Sequence, residues 1–170
     1  MVSKISDLKN EIDEAELILI GIGDEFADIE EKNGISIYNN IAKLILNKNY
    51  FVVSMCEDDN IFKSDMAKDK ITAPFCDAAV EDSNKENQED PQWEKYMMWL
   101  SCTLNKKLLI IELGASIMNP QVIRWPFEKI VELNNKAKLI RVNAMMPNVP
   151  SEISSKCISI KASSVDFCKD

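Results

Sequence analysis

Histidine is absent from this chain of 170 residues. Its absence excludes the usual general base near neutral pH, the commonest side-chain ligand of transition metals, and every hydrolase arrangement that depends on imidazole. Basic residues are also in deficit, with 20 lysines and arginines against 28 aspartates and glutamates and a formal charge of −8. Nucleic-acid binding needs a basic surface that neutralises phosphates, so no nucleic-acid partner is expected.

Long apolar runs are missing as well. The first 16 residues alternate charged and apolar side chains, unlike a signal peptide or a membrane anchor. The five cysteines are odd in number, widely spaced and without a C-x-x-C pair. This spacing argues against a disulfide framework and against a structural zinc site. We therefore expect a cytoplasmic protein with no membrane partner and no metal.

Short apolar segments alternate with helical patterns along the chain, and its length favours one domain over residues 1–170. Buried strands are predicted at 16–21, 50–54, 107–113 and 138–143, with a weaker fifth at 157–160. Helices are predicted at 3–14 and 38–46, after Pro91, and from Pro126 onward. This alternation predicts an α/β fold, a Rossmann-like parallel sheet with helices on both faces, and ligand binding beyond the carboxyl ends of the strands.

Residues 55–91 interrupt the alternation. Between Asp77 and Asp90 the chain carries six acidic residues and one lysine. A charged run of this kind is typical of a solvated segment. We therefore predict an exposed acidic excursion over 55–91.

Glycine is scarce, and three of the four glycines sit at predicted strand ends or in the loop after the first strand: Gly21, Gly23 and Gly114. Gly21-Ile-Gly23 matches the first two glycines of a dinucleotide-binding turn, which let the backbone approach a pyrophosphate. Phe26 replaces the third glycine, and Asp24 and Glu25 place two carboxylates where phosphates would lie. The turn therefore has two explanations, a nucleotide site or a structural role at the strand ends.

Five segments occur in an order that resembles a known family: 19–23, 48–58, 106–116, 119–127 and 140–143. The family is the sirtuins, NAD-dependent protein deacylases and ADP-ribosyltransferases, and the chain is most similar to their short bacterial branch linked to macrodomain proteins. The resemblance implies a sirtuin-like Rossmann fold that binds NAD or ADP-ribose. The cofactor-binding residues that it implies are Gly21, Gly23, Ser54, Gly114, Ser116 and Asn143.

The departures from the family pattern imply lost chemistry. Ser54 and Asp58 keep a hydroxyl and a carboxylate of the family's T-x-N-x-D motif, but Cys56 replaces its asparagine. The family's catalytic histidine has no counterpart in a chain without histidine. The acidic excursion takes the place of the small zinc lobe, because residues 59–105 contain only Cys76 and Cys102. The resemblance therefore implies a catalytically degenerate, zinc-free pseudoenzyme.

Three functions stay open. The first is a non-deacylase that binds NAD or ADP-ribose, as a nucleotide sensor or a partner-binding protein. The second is an active NAD-consuming ADP-ribosyltransferase or glycohydrolase, in which Asp58 and Cys56 are the catalytic candidates, although the acids beside Cys56 oppose formation of a reactive thiolate. The third is a structural or protein-interaction module that binds a protein partner or forms a homo-oligomer.

Overall fold

The computed structural model describes residues 1–79 and 90–169. It contains one parallel sheet of six strands with helices on both faces, so the predicted α/β, Rossmann-like fold is confirmed. The strands are β1 (Leu17–Ile22), β2 (Asn49–Ser54), β3 (Ile71–Thr72), β4 (Leu108–Leu113), β5 (Lys138–Val142) and β6 (Cys157–Ile160). The α-helices are α1 (Lys9–Glu14), α2 (Glu31–Ile45), α3 (Pro91–Ser101), α4 (Arg124–Leu133) and α5 (Ser164–Phe167). Short 3-10 helices occupy Ile5–Leu8, Asp24–Phe26, Asn60–Lys63, Lys68–Lys70, Asp77–Ala79 and Ser151–Lys156.

The strand order is β3-β2-β1-β4-β5-β6. The central strand β1 pairs with β2 on one side and with β4 on the other. The chain therefore builds the sheet outward to β3, crosses back to β4, and builds outward again to β6. In open parallel sheets, ligands bind at the carboxyl edge where the strand order reverses, which is here between β1 and β4.

Both faces of the sheet are covered by apolar side chains. Ile18 and Ile20 of β1 pack with residues of α1, α2 and α5, whereas Leu17 and Leu19 pack on the opposite face with residues of α3 and α4. Every residue of β1 and of β4 is buried. This two-sided burial is the reason why these strands are continuous apolar runs in the sequence.

Three helices begin at other residues than predicted, and one of them is α4, which begins at Arg124, two residues before Pro126. The helix predicted at 38–46 is α2, which starts seven residues earlier, at Glu31. The first residues of α2 are largely polar, so the apolar periodicity of the sequence identifies only the second half of this helix. The helix predicted at 3–14 consists of a 3-10 turn followed by α1.

The segment 55–79 is not the exposed excursion that its charge predicted. Ile71 and Thr72 form the edge strand β3, which pairs with β2. Ile61 and Met66 are buried in the core on the α2 side of the sheet. The two-residue strand has too few residues to produce a readable apolar pattern, which is why it was missed.

Asp90 is likewise buried, although it ends the acidic run predicted to be solvated. Its Oδ2 accepts hydrogen bonds from Thr72 Oγ1 (2.6 Å) and from the Ala73 amide (2.8 Å), and its Oδ1 accepts one from the Gln92 amide (2.9 Å). The side chain therefore caps α3 and joins it to the edge strand. The rest of the predicted run, at 80–89, lies outside the described residues.

Helix α3 buries one aromatic residue. Tyr96 is buried against Phe51, with ring centroids 5.4 Å apart. Met97 on the same helix and Leu104 after it are exposed. Within residues 1–79 and 90–169, no helix combines the length and the apolar character that crossing a membrane requires.

Two opposite charges lie inside the sheet, Glu112 on β4 and Arg141 on β5, in directly paired positions. Both side chains are fully buried, and Arg141 donates to Glu112 through Nε (2.8 Å to Oε1) and Nη2 (2.9 Å to Oε2). Arg141 Nη2 also lies 2.8 Å from Glu128 Oε1, and Arg124 Nη1 lies 3.8 Å from Glu112 Oε1. This charge network of two acids and two bases joins β4, β5 and α4, and its paired geometry offsets the loss of hydration.

We expect Glu112→Gln to lower the free energy of unfolding by about 3 kcal/mol or more, because two buried arginines would keep only one acidic partner. Urea unfolding followed by circular dichroism measures this loss. The control is Glu132→Gln, which removes an exposed ion pair with Lys129 and should change stability little. Equal losses in the two variants would contradict a dominant role for the buried network.

Candidate functional site

The loops after β1, β4 and β5 meet at the carboxyl edge of the sheet. The Gly23 amide donates to the Leu113 carbonyl (2.8 Å), and the Gly114 amide donates to the Val142 carbonyl (2.8 Å). The structure thus brings most of the predicted cofactor residues to one edge, at the place where the strand order reverses. These residues are Gly21, Gly23, Gly114, Ser116 and Asn143, with Ser54 at the end of the neighbouring β2.

The three glycines at this edge face protein atoms. A Cβ on Gly21 would lie 2.6 Å from the Phe127 ring, and one on Gly23 would lie 2.3 Å from Ala115 Cα. Gly114 has a φ of +66°, and a Cβ there would lie 2.5 Å from Glu25 Cβ. Gly21, inside β1, therefore allows close packing of the strand on α4, and Gly23 and Gly114 allow close packing between the loops, in agreement with a structural role.

Glu25 fills the space between the loops. Its Oε1 accepts a hydrogen bond from the Ala144 amide (2.8 Å). Its Oε2 accepts from the amide (2.8 Å) and the hydroxyl (2.6 Å) of Ser164. Backbone N–H groups at such loop and helix ends bind phosphate oxygens in nucleotide sites. Here the Glu25 carboxylate takes the amides of Ala144 and Ser164, so in this arrangement neither amide is available to a phosphate.

Asn143 uses both ends of its side-chain amide within the fold. Its Nδ2 donates to the Ala115 carbonyl (2.9 Å), which lies in the loop after β4. Its Oδ1 accepts from the amides of Met145 (3.0 Å) and Met146 (2.8 Å). The side chain is buried and shapes the turn after β5. Its geometry is that of a loop-positioning residue.

The two predicted serines are also bonded to their surroundings. Ser116 Oγ donates to an Asp24 carboxylate oxygen and accepts from the Met118 amide (3.2 Å). Ser54 is buried at the end of β2, and its Oγ accepts from the Cys56 amide (3.2 Å). The Ser116 hydroxyl therefore stabilises the loop after β4, and the Ser54 hydroxyl stabilises the start of the loop after β2.

An open cleft of about 830 Å³ lies at the carboxyl edge of β1 and β2. We call it the acidic cleft, because four carboxylates line it: Asp24, Asp28, Glu57 and Asp58. Among the described residues, no lysine or arginine lines it. Negative charges so close together repel a phosphate and attract a cationic group.

Both predicted catalytic residues line the acidic cleft. Cys56 is 3% exposed, and its Sγ lies 3.8 Å from Tyr38 Oη. Burial, assisted by the charges of Asp58 and Asp24, raises the pKa of the Cys56 thiol to about 11. At pH 8 such a thiol is ionised in roughly one molecule in a thousand, so the nucleophile is not activated. Asp58 Oδ1 accepts a hydrogen bond from the Asn60 amide (3.0 Å) and shapes the local turn.

A second groove, of about 540 Å³, lies at the opposite edge, where β4, β5 and β6 begin. Lys107, Lys136 and Lys138 line it, and it contains none of the predicted site residues. In the part of the chain that the structure describes, no group of three or more acidic or cysteine side chains is arranged to hold a metal ion.

No role was predicted for Arg124, yet it joins the loops of the carboxyl edge. It is buried at the start of α4, and its Nη2 donates to the carbonyls of Met146 and Asn148, both at 3.0 Å. The available signal was the presence of Glu112 and Arg141 inside apolar strands, since buried charges need partners. The partner itself could not be identified, because it lies on a separate helix.

Comparisons of the chain with protein-family models and with the curated proteins found no match. Membership of the sirtuin family therefore stays a prediction that rests on the ordered segments.

We expect Gly23→Ala to lower the free energy of unfolding by about 1–3 kcal/mol even without any nucleotide, because the added methyl group would meet the Ala115 backbone. Thermal or urea unfolding measures the loss. Gly34→Ala in α2 is the matched control, because its Cβ would lie 3.4 Å from the Asn60 side chain. Alanine is also the better helix former, so the control should be neutral or slightly stabilising. Unchanged stability of Gly23→Ala would contradict the packing role.

Proposed function

We propose that this chain is a sirtuin-like Rossmann module without deacylase activity, which works by binding a protein partner and does not turn over NAD. The observation that carries the proposal is the Glu25 carboxylate, which accepts hydrogen bonds from the Ala144 and Ser164 amides at the carboxyl edge, beside Gly114. The sirtuin-like part rests on the order of the resembling segments. The strand order β3-β2-β1-β4-β5-β6 is compatible with it.

The chemistry of the edge supports a non-enzymatic role. The chain has no histidine to act as a base near neutral pH. The Cys56 thiol is buried and neutral at physiological pH, as its pKa of about 11 indicates. The acidic cleft carries four carboxylates, whose charge opposes an anionic dinucleotide. These features act in the same direction, against both NAD binding and NAD cleavage.

A second candidate is binding of NAD or ADP-ribose without deacylation. The observation that favours it is the convergence of the predicted cofactor residues where the strand order reverses. A phosphate that bound the Ala144 and Ser164 amides would require the Glu25 carboxylate to leave its three hydrogen bonds with these residues. An active NAD consumer would further require chemistry from Asp58 and Cys56, which the buried thiol does not favour.

Calorimetric titration with NAD and with ADP-ribose tests the proposal. We expect no saturable heat up to low millimolar ligand, and no free nicotinamide when the NAD mixture is then separated by chromatography. Glu25→Gln should behave in the same way, since a side chain of the same size still fills the space. Saturable binding to the unmodified chain would contradict the proposal in favour of the second candidate. Release of nicotinamide would contradict it in favour of an active enzyme.

A further inference from the structure

Five large apolar side chains lie exposed beside the Glu25 site, on three segments at the carboxyl edge of β4 and β5. We call them the apolar patch: Ile117, Met118, Trp125, Met145 and Met146. Met118 and Met145 retain 87% and 80% of their possible exposure, and Trp125 retains 59%. A single exposed apolar residue is ordinary, but a group of them on neighbouring loops is typical of a binding surface.

Hydrogen bonds hold the three segments of the apolar patch beside one another. Asn143 joins the loop after β5 to the Ala115 carbonyl, and Arg124 donates to the Met146 carbonyl. The Trp125 amide donates to the Pro120 carbonyl (2.9 Å), which ties the start of α4 to the loop after β4. The apolar side chains therefore stand on a framework anchored in the buried charge network.

The composition of the apolar patch suits recognition of a protein segment. Methionine side chains are flexible and adapt to partners of different shape, and they occur often at binding surfaces with broad specificity. Tryptophan is enriched among the residues that contribute most to binding energy at protein interfaces. Three exposed methionines and the exposed Trp125 supply both properties on these neighbouring segments.

The apolar patch borders the acidic cleft. Ser116, two residues before Met118, donates its hydroxyl hydrogen to Asp24 of the cleft. Asn119, the residue after Met118, lines the cleft itself. A ligand on the apolar patch would therefore lie beside four carboxylates, on a chain whose formal charge is −8.

We infer that the apolar patch and the acidic cleft together bind a cationic amphipathic segment of a partner protein. The apolar side chains of that segment would pack on the patch, and its lysines or arginines would face the cleft. This inference rests on the proposed partner-binding function and adds the chemistry of the partner. A second copy of this chain is disfavoured as the occupant, because it would bring two acidic clefts together. An anionic membrane surface is disfavoured because its negative charge would be repelled by the acidic cleft.

The probe is an 18-residue helical peptide of leucine and lysine with the leucines on one face. One control peptide has the same composition with the leucines distributed around the helix, and another replaces lysine by glutamate. Binding to the full chain is followed by fluorescence anisotropy of the labelled peptide. We expect one-to-one binding that is at least about tenfold tighter for the amphipathic cationic peptide than for either control, and weaker at high salt.

Variants test whether the peptide binds at the apolar patch and the acidic cleft. Met118→Ser/Met145→Ser should weaken binding of the cationic peptide at least about tenfold, through lost apolar burial. Met97→Ser/Met98→Ser removes two exposed methionines from α3 and should leave the affinity unchanged. Asp28→Asn/Glu57→Gln should weaken binding and reduce its salt dependence. Circular dichroism and thermal unfolding establish that each variant is folded before its affinity is interpreted.

Three results would overturn the inference: equal affinity for the three peptides, insensitivity to Met118→Ser/Met145→Ser, or absence of peptide binding. Binding of phosphatidylcholine vesicles, or dimer formation, would also overturn the inference if Met118→Ser/Met145→Ser abolished it. The apolar patch would then bind a membrane or a second copy of the chain. The NAD titration on the same preparation distinguishes failure of this inference from failure of the proposed function. If neither NAD nor peptide binds, this inference alone fails. If NAD binds, the proposed function fails whatever the peptide does.

Discussion

The ion pair between Glu112 and Arg141 sets the geometry of the carboxyl edge. It joins neighbouring strands inside an apolar core, where each charge requires the other. Arg141 also donates to the Asn148 carbonyl (2.7 Å), and Arg124 donates to the carbonyls of Met146 and Asn148. The loop after β5 is therefore held by buried arginines, and the surface that it presents depends on them.

The same edge shows how the loops at the carboxyl ends of a Rossmann-like sheet can be filled by the chain's own side chains. Gly23 lets the loop after β1 approach the Ala115 backbone, and Gly114 adopts a left-handed conformation beside Glu25. The Glu25 carboxylate fills the space that remains between these loops. Each of its two oxygens accepts a hydrogen bond from a backbone amide. Carboxylates at Asp24 and Asp58 then give the neighbouring cleft a charge that suits cations. Packing, hydrogen bonding and charge at this edge are the basis for the proposed protein-binding role.

The long strands were predictable because burial on both faces requires continuous apolar runs, as in β1 and β4. The edge strand β3 was not, since two residues paired on one side carry no such pattern. The charge of the segment that ends at Asp90 predicted exposure to solvent. The burial of Asp90 could not be predicted, because it depends on hydrogen bonds from Thr72 and Ala73, which are distant in sequence.

The site was predictable in position and less so in detail. The glycines and Asn143 do meet at one edge, because parallel strands end together. The sequence placed two carboxylates after Gly23, but only tertiary contacts decide that Asp24 faces the cleft while Glu25 turns inward. Exposure of Met118 and Met145 likewise depends on how two loops are held by a separate helix, which no local pattern reports.

A crystal structure determined from crystals grown with excess ADP-ribose tests the central claim most directly. The account predicts that the Glu25 carboxylate remains within hydrogen-bond distance of the Ala144 and Ser164 amides, with no diphosphate between the loops after β1 and β4. A diphosphate bound there, with Glu25 displaced from those amides, would contradict it.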